Sequence, residues 1–259
     1  MTVERDSEIS FVKVLAPEAL VRVRVNEAVT LEWSCTPHDL SCLATGWFLA
    51  EGIVRTRAEI ADLAVEAAEP GYAACLTVQL TEPALGRLTA ALSGDTTSSV
   101  RPTALTAPKA NQAPVYTSGS SQLRPLLEDR GRVTSWFREM FDQAALRSSV
   151  GGVHTGGLVV DGDLALVVED VSRHHVVDRL AGSAVLTGAP PRDSIFLVSA
   201  RISGAMAAKA CRAGVGALVS RSVPTELAAA IAAPRGLILV GRARGEAPHY
   251  YWPHSEAAG

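Results

Sequence analysis

The 259-residue sequence predicts an α/β protein: a small N-terminal α+β unit followed by a mixed, mostly parallel sheet covered by helices on both faces. Three observations carry this. Val21, Val23 and Val25 alternate with Arg22 and Arg24, the period-2 pattern of a strand in a sheet with one wet face. From Gly157 to Gly241, short and wholly apolar strands alternate with helix-length segments, as in sheets buried on both sides. Between them, from Leu92 to Ser121, apolar periodicity fades into Ser, Thr, Gly, Pro and Ala. Residues 1–92 are therefore assigned to the α+β unit, 93–121 to a linker or mobile loop, and 122–259 to the α/β domain.

In the first unit, Ile9 to Leu15, Leu20 to Val25 and Val29 to Trp33 read as strands of an antiparallel sheet. Thr36-Pro37-His38-Asp39 has the form of a helix start, with a Thr cap, Pro in the first position and an acid near the positive end of the dipole. Leu40, Leu43, Ala44, Trp47 and Phe48 follow at helical spacing, and Glu51-Gly52 closes the helix. His38 is then a surface residue of the first turn. Tyr72 to Leu80 reads as a further strand.

In the second unit, Gly157–Val160 and Leu164–Glu169 flank Asp161-Gly162, a two-residue hairpin signal. A helix from His174 to Leu186, a strand from Ile195 to Ser199, a helix from Ser203 to Ala213, a strand from Ala217 to Ser220, a helix from Pro224 to Ala232 and a strand from Leu237 to Gly241 follow in turn.

A net charge of −3 argues against a general nucleic-acid or membrane-surface role, which needs a basic face. The N-terminal residues are polar and mixed in charge, and no apolar run approaches the roughly 18 residues of a spanning helix, so a cytoplasmic protein is expected. Cys35, Cys42, Cys75 and Cys211 show no Cys-x-x-Cys spacing, which excludes a zinc ribbon or a dithiol redox pair. The phosphate loop, the GxGxxG turn, the GxSxG elbow and the zinc deaminase pattern are also absent. Adjacent His174 and His175 diverge by about 100° on a helix and cannot readily share a metal, so no directly ligated metal is expected and one of the two rings should face the core.

In an open α/β sheet, residues just past the carboxyl ends of strands converge on one edge, where ligands bind. Those positions hold Asp170 and Arg173, Ser199 and Arg201, Ser220 to Thr225, and Arg242 and Arg244. The stretch Gly151-Gly152-Val153-His154 and the segment Glu169 to Asp178 add histidines and acids. Several arginines together suit a phosphate or pyrophosphate, which the guanidinium fork binds in bidentate fashion.

These residues resemble the formate dehydrogenase accessory sulfurtransferases, the FdhD family. The likeness covers Gly46-Trp47-Phe48-Leu49-Ala50-Glu51-Gly52, Gly151 to His154, Glu169 to Asp178, Ser199-x-Arg201-x-Ser203 through Met206 and Lys209, Pro224-Thr225, and Gly241 to Gly245. The resemblance implies a cytidine-deaminase-like three-layer α/β/α domain with a smaller N-terminal α+β domain, usually as a homodimer. It also implies that sulfur from a cysteine desulfurase passes to a molybdenum or tungsten bis-guanine-dinucleotide cofactor destined for formate dehydrogenase. Gly152, Arg173, Asp178, Ser199, Arg201, Ser203, Thr225 and Arg244 are then the expected cofactor-binding residues.

One departure bears directly on function. Where the family carries a Cys-x-x-Cys pair, this sequence reads Thr117-Ser118-Gly119-Ser120-Ser121-Gln122-Leu123. A serine hydroxyl cannot carry sulfane sulfur, so conventional sulfur relay is not expected. Ser172, His175 and Arg179 replace the family's usual Gly, Asn and Lys, and Ala200 and Ala205 stand where Gly and Glu are common. Three functions fit: a binding factor that grips the cofactor or a guanine nucleotide without moving sulfur; an enzyme of small-molecule or specialised metabolism, with His154, Asp170, His174 and His175 as acid/base groups; or a non-catalytic partner of an intact relative.

Overall fold

The computed structural model describes residues 15–93, 120–243 and 248–252, with the side chains of Ser120, Ser121 and Trp252 excepted. The expected strand from Ile9, nearly all of the expected loop 93–121 and Arg244 lie outside these residues.

The chain builds two sheets. The first contains β1 (Ala19–Val25), β2 (Val29–Cys35), β3 (Ile60–Glu66) and β4 (Ala74–Leu80), in the order β2-β1-β4-β3, with α1 (Leu40–Ala50) between β2 and β3 and α2 (Glu82–Ser93) after β4. The valines of β1 are buried as their alternation predicts, beneath Leu31, Trp33, Leu43, Trp47 and Phe48. The sheet is not purely antiparallel: β1 pairs antiparallel with β2 but parallel with β4, because the long connection through α1 and β3 returns the chain beside β1 in the same direction.

Thr36 is not the helix cap. The cap position is Asp39, in left-handed conformation (φ 43°, ψ 43°) without a side-chain capping bond. The Thr36 hydroxyl instead accepts from the Val171 amide at 3.1 Å, a tertiary use that outweighs the local pattern.

Three helices follow that the sequence pattern did not single out: α3 (Ser120–Glu128), α4 (Arg130–Asp142) and α5 (Ala145–Val150). The second sheet holds β5 (His154–Val160), β6 (Asp163–Asp170), β7 (Ile195–Val198), β8 (Ala217–Ser220), β9 (Ile238–Gly241) and β10 (His249–Trp252) in the order β10-β9-β8-β7-β5-β6. Its helices are α6 (Arg173–Leu186), α7 (Gly204–Ala213) and α8 (Glu226–Ala232). The Asp161-Gly162 turn is present, with φ of 52° and 89°, the positive pair that a type I′ hairpin requires.

Side chains alternate through this sheet. Phe196, Val198, Leu218 and Leu239 pack against α6, α7 and α8 on one face. Ile195, Leu197, Val219, Ile238 and Val240 pack against α3 and α4 on the other, so both faces are covered as expected. The sheet is mixed, as expected, but not mostly parallel: the β7/β8 and β8/β9 pairings are parallel and the other three antiparallel. The reason is that β5 is inserted antiparallel between β6 and β7, and β10 folds back on β9. This topology brings the amino end of β5 and the carboxyl ends of β6 to β9 to one edge.

The two sheets are joined by α1 crossing α6. The contact is backbone to backbone: a Cβ at Gly46 would lie 1.6 Å from the Asp178 carbonyl oxygen, and one at Gly182 would lie 1.9 Å from that of Cys42. Lys209, 3% exposed, bridges the same joint, with Nζ 2.5 Å from Glu51 at the end of α1 and 2.8 Å from Asp178 on α6.

Candidate functional site

The shared strand edge carries a cleft of about 600 Å³. It is lined by Phe141, Arg147, Gly152, Val153, His154, Ser199, Ala200, Arg221 and Ser222. Gly151 and Gly152 both take positive φ (65° and 66°), which turns the chain from α5 into β5 and sets His154 at the cleft wall. The Ser199 hydroxyl accepts from the Thr155 amide at 3.0 Å, tying the end of β7 to the start of β5. Glu169 takes the free amides of Leu146 and Arg147 at 2.8 Å each, so its carboxylate caps α5 and positions Arg147.

The cationic character of the cleft comes from Arg147 and Arg221, whose guanidinium carbons lie 4.9 and 5.0 Å from the centroid of the same Phe141 ring. Among the described residues neither guanidinium pairs with a carboxylate. Arg221 falls in the segment after β8 that strand-end reasoning marks out. Phe141 and Arg147 sit on α4 and α5, and only the position of Arg147 just before Gly151-Gly152 could have signalled it.

Of the residues expected from the sequence, Gly152, His154 and Ser199 meet at this cleft. Arg173 and Arg201 are exposed outside its lining. Ser203 and Thr225 cap α7 and α8: the Ser203 hydroxyl accepts from the Met206 amide at 3.4 Å and the Thr225 hydroxyl from the Ala228 amide at 3.2 Å. Asp178 has no exposed surface and holds Lys209 at the crossing of α1 and α6. These three are placed by folding requirements rather than at the cleft.

Asp170 is also withdrawn from the cleft. It is completely buried, and its Oδ2 accepts from Arg179 Nε at 2.9 Å while its Oδ1 accepts from the Ser172 amide at 2.8 Å. Burial alone would push its pKa up; the neighbouring His175 and Arg179, with the Ser172 amide, hold it below the usual carboxylate value. Arg179 in turn donates to the Thr36 carbonyl at 2.6 Å and to that of His38. Asp170, expected as an acid/base group, is thus engaged in a buried ion pair that ties α6 to the turn before α1. His175 is buried against Trp33 with its Nδ1 3.5 Å from Asp170, whereas His174 is half-buried, so the two rings diverge as expected.

His154 and His174 both titrate below the ordinary histidine value. Burial is the first cause for each; the charges of Arg173 and Arg147 add to it at His154, and those of Lys209 and Arg173 at His174, which falls to about 4. Since the unfolded imidazole takes its proton near 6.5 and folded His174 near 4, the unfolded state binds more protons across that window. Stability is therefore expected to fall as pH drops from 6.5 to 4. His174→Gln should flatten the dependence in urea midpoints; an unchanged slope would contradict it. Among the described residues no group of three His, Cys, Asp or Glu side chains is arranged to hold a metal ion, and no helix is long and apolar enough to cross a membrane.

The fold and the cleft together define a mixed α/β protein with a cationic pocket at its strand ends. The chain belongs to the FdhD/NarQ family, whose model matches residues 16–257. A "Sulfur carrier protein FdhD" of Cupriavidus necator is 30% identical over 93% of this chain and 81% of its own length. One of the same name from Bacillus licheniformis is 28% identical over 93% and 88%. In Streptomyces avermitilis the identity reaches 42%, over 39% of this chain and 36% of the relative. A crystal structure of a putative formate dehydrogenase accessory protein from Desulfotalea psychrophila shares the fold, with a TM-score of 0.69 at 23% identity over 93% of this chain and 89% of that one.

Proposed function

We propose that this protein is a binding factor in formate dehydrogenase maturation, which grips a guanine-nucleotide portion of the molybdenum or tungsten bis-guanine-dinucleotide cofactor without carrying sulfur itself. The observation that carries the reading is the pair of guanidiniums, Arg147 and Arg221, without carboxylate partners among the described residues and held beside His154 in the strand-edge cleft. Planar guanidinium forks suit phosphate oxygens, and a neutral His154 can accept a hydrogen bond from a ribose or base. A cleft near 600 Å³ is of the size that takes a single small ligand, such as one nucleotide. Action on the formate dehydrogenase cofactor, a cytoplasmic location and a homodimer come to this chain from the family. The strand order β6-β5-β7-β8-β9 with β5 reversed supports the deaminase-like layout.

The sulfur-free part of the reading rests on the cysteines. The family's Cys-x-x-Cys pair is absent from the sequence. Cys35, Cys75 and Cys211 are buried, and burial pushes the Cys35 thiol to about 12 and the Cys211 thiol to about 11. Such thiols are poor nucleophiles toward a persulfide donor.

The test is calorimetric titration with GDP. Wild type should bind, and Arg221→Ala should weaken binding at least tenfold, about 1.4 kcal/mol or more, in line with loss of a charge-assisted phosphate contact. Unchanged affinity in Arg221→Ala would remove the cleft from the nucleotide site. In parallel, incubation with a cysteine desulfurase and labelled cysteine should leave no persulfide on the chain; a labelled cysteine would return it to the sulfur carriers.

A further inference from the structure

Strand β3 lies at the edge of the first sheet, paired only with β4 among the described residues. Past a bulge between Ile60 and Asp62, the stretch from Asp62 to Glu66 runs in regular antiparallel register with Gln79 to Cys75. The outer edge of such a strand presents unpaired amides and carbonyls, which proteins ordinarily guard with proline, lysine or a bulge. None of these falls within Asp62 to Glu66, where every residue but the half-buried Leu63 is exposed. The opposite edge, β2, differs: buried and exposed residues alternate along it, as in a strand covered on one face. Cross-strand partners share a face, so Leu63 and Val65 follow Val78 and Leu76 toward the helices, while Asp62, Ala64 and Glu66 follow Gln79, Thr77 and Cys75 to the open side. Leu63 packs on the core, but Val65 is 50% exposed, because among the described residues no further strand extends that face. Among the same residues Asp62 forms no ion pair, and Glu66 has only Arg24, at 3.8 Å.

We infer that β3 is a docking edge for an extended segment of a partner protein, which joins the four-stranded sheet as a further strand and reads basic, apolar, polar, apolar, basic across Asp62 to Glu66. Main-chain hydrogen bonds to the open edge hold the segment. Its two apolar side chains continue the helix-side face beside Leu63 and Val65, and its two cations meet Asp62 and Glu66 on the other face. A second copy of this chain is disfavoured as the occupant. Antiparallel self-pairing centred on Ala64 sets Asp62 of each copy opposite Glu66 of the other, and like charges directly opposite repel. The edge belongs to the first sheet and the cleft to the second, so the inference does not rest on the nucleotide reading.

The experiment is fluorescence anisotropy on the full chain with a cyclised hairpin peptide whose free edge strand reads Arg-Val-Thr-Val-Arg, preorganised so that no ordering cost masks the contact. Two controls keep its shape: Glu-Val-Thr-Val-Glu reverses the charges, and Val-Arg-Thr-Arg-Val keeps the composition but swaps the faces. The first peptide should bind, and each control should bind at least about tenfold weaker. Asp62→Lys, at an exposed position, should narrow the gap between the Arg and Glu peptides. Val65→Asp should weaken the Arg peptide although it adds a negative charge, which separates strand addition from adsorption to an acidic surface. Failure of the Arg peptide to bind at about 1 mM, or equal binding of its face-swapped isomer, would overturn the docking edge. So would a change in the protein's own oligomeric state on Val65→Asp, which would make a second copy the occupant.

Discussion

Asp170→Ala is expected to destabilise the protein by about 3–5 kcal/mol, the range for removing one partner of a buried ion pair. The carboxylate is fully buried, and it neutralises Arg179, which has no exposed surface of its own. Without it, a guanidinium would remain in the interior facing the carbonyls of Thr36, His38 and Asp39, and its charge would be uncompensated. The loss should extend beyond the site, because Arg179 is the link by which α6 holds the turn before α1. Urea denaturation should show a large fall in midpoint. An Asp170→Ala protein as stable as wild type but impaired in nucleotide binding would restore the carboxylate to the ligand site. Asp170→Asn, which keeps the shape and one acceptor but sets an NH2 donor against either the Arg179 guanidinium or the Ser172 amide, should also be strongly destabilising.

Gly46→Ala should cost ~3 kcal/mol or more, at or past the upper end of ordinary overpacking. The added methyl would sit 1.6 Å from the Asp178 carbonyl oxygen and 2.6 Å from the Gly182 nitrogen, both backbone atoms that cannot rotate aside. To admit it, α1 and α6 must separate, which strains the Lys209 bridge to Glu51 and Asp178 and opens the contact of Trp47 with Trp33. Soluble yield and thermal midpoint should both drop. Gly86→Ala is the control: that glycine lies exposed on α2 with nothing within 4 Å of the added carbon, and the change should be neutral or mildly stabilising. Were Gly46→Ala to melt with wild type, the close crossing of the two helices would be wrong.

Much of the architecture is legible in local pattern. The alternating valines of β1, the Asp161-Gly162 turn and the apolar runs of β7, β8 and β9 each name their own conformation, since burial of one or both faces writes itself at fixed spacing. Of the helices not singled out, α4 does carry an apolar stripe at helical spacing, Val133, Trp136, Phe137 and Met140, whereas α3 and α5 do not declare themselves. Pro125 interrupts α3, and α5 has only six residues with none buried, so neither offers a sustained apolar stripe. Harder to read are the residues whose type allows two uses. Ser203 and Thr225 stand where a ligand residue would stand, yet the helix that begins there needs its free amides capped, and a hydroxyl meets that need locally.

For the site, the sequence alone determined which edge of the sheet to search, and it placed Gly152, His154, Ser199 and the Arg221 segment there. It also determined that no Cys-x-x-Cys pair exists. Only the tertiary structure decided which charges are free. Asp170 and Asp178 look like pocket acids in sequence, but one is neutralised by Arg179 and the other by Lys209, 31 residues away. Arg179 reaches back 143 residues to Thr36. Arg147 and Arg221, which no spacing connects, come together on Phe141 without acid partners among the described residues. Charge pairing depends on distance in space, which falls off within a few ångströms, whereas sequence pattern records only the side of an element that faces the core.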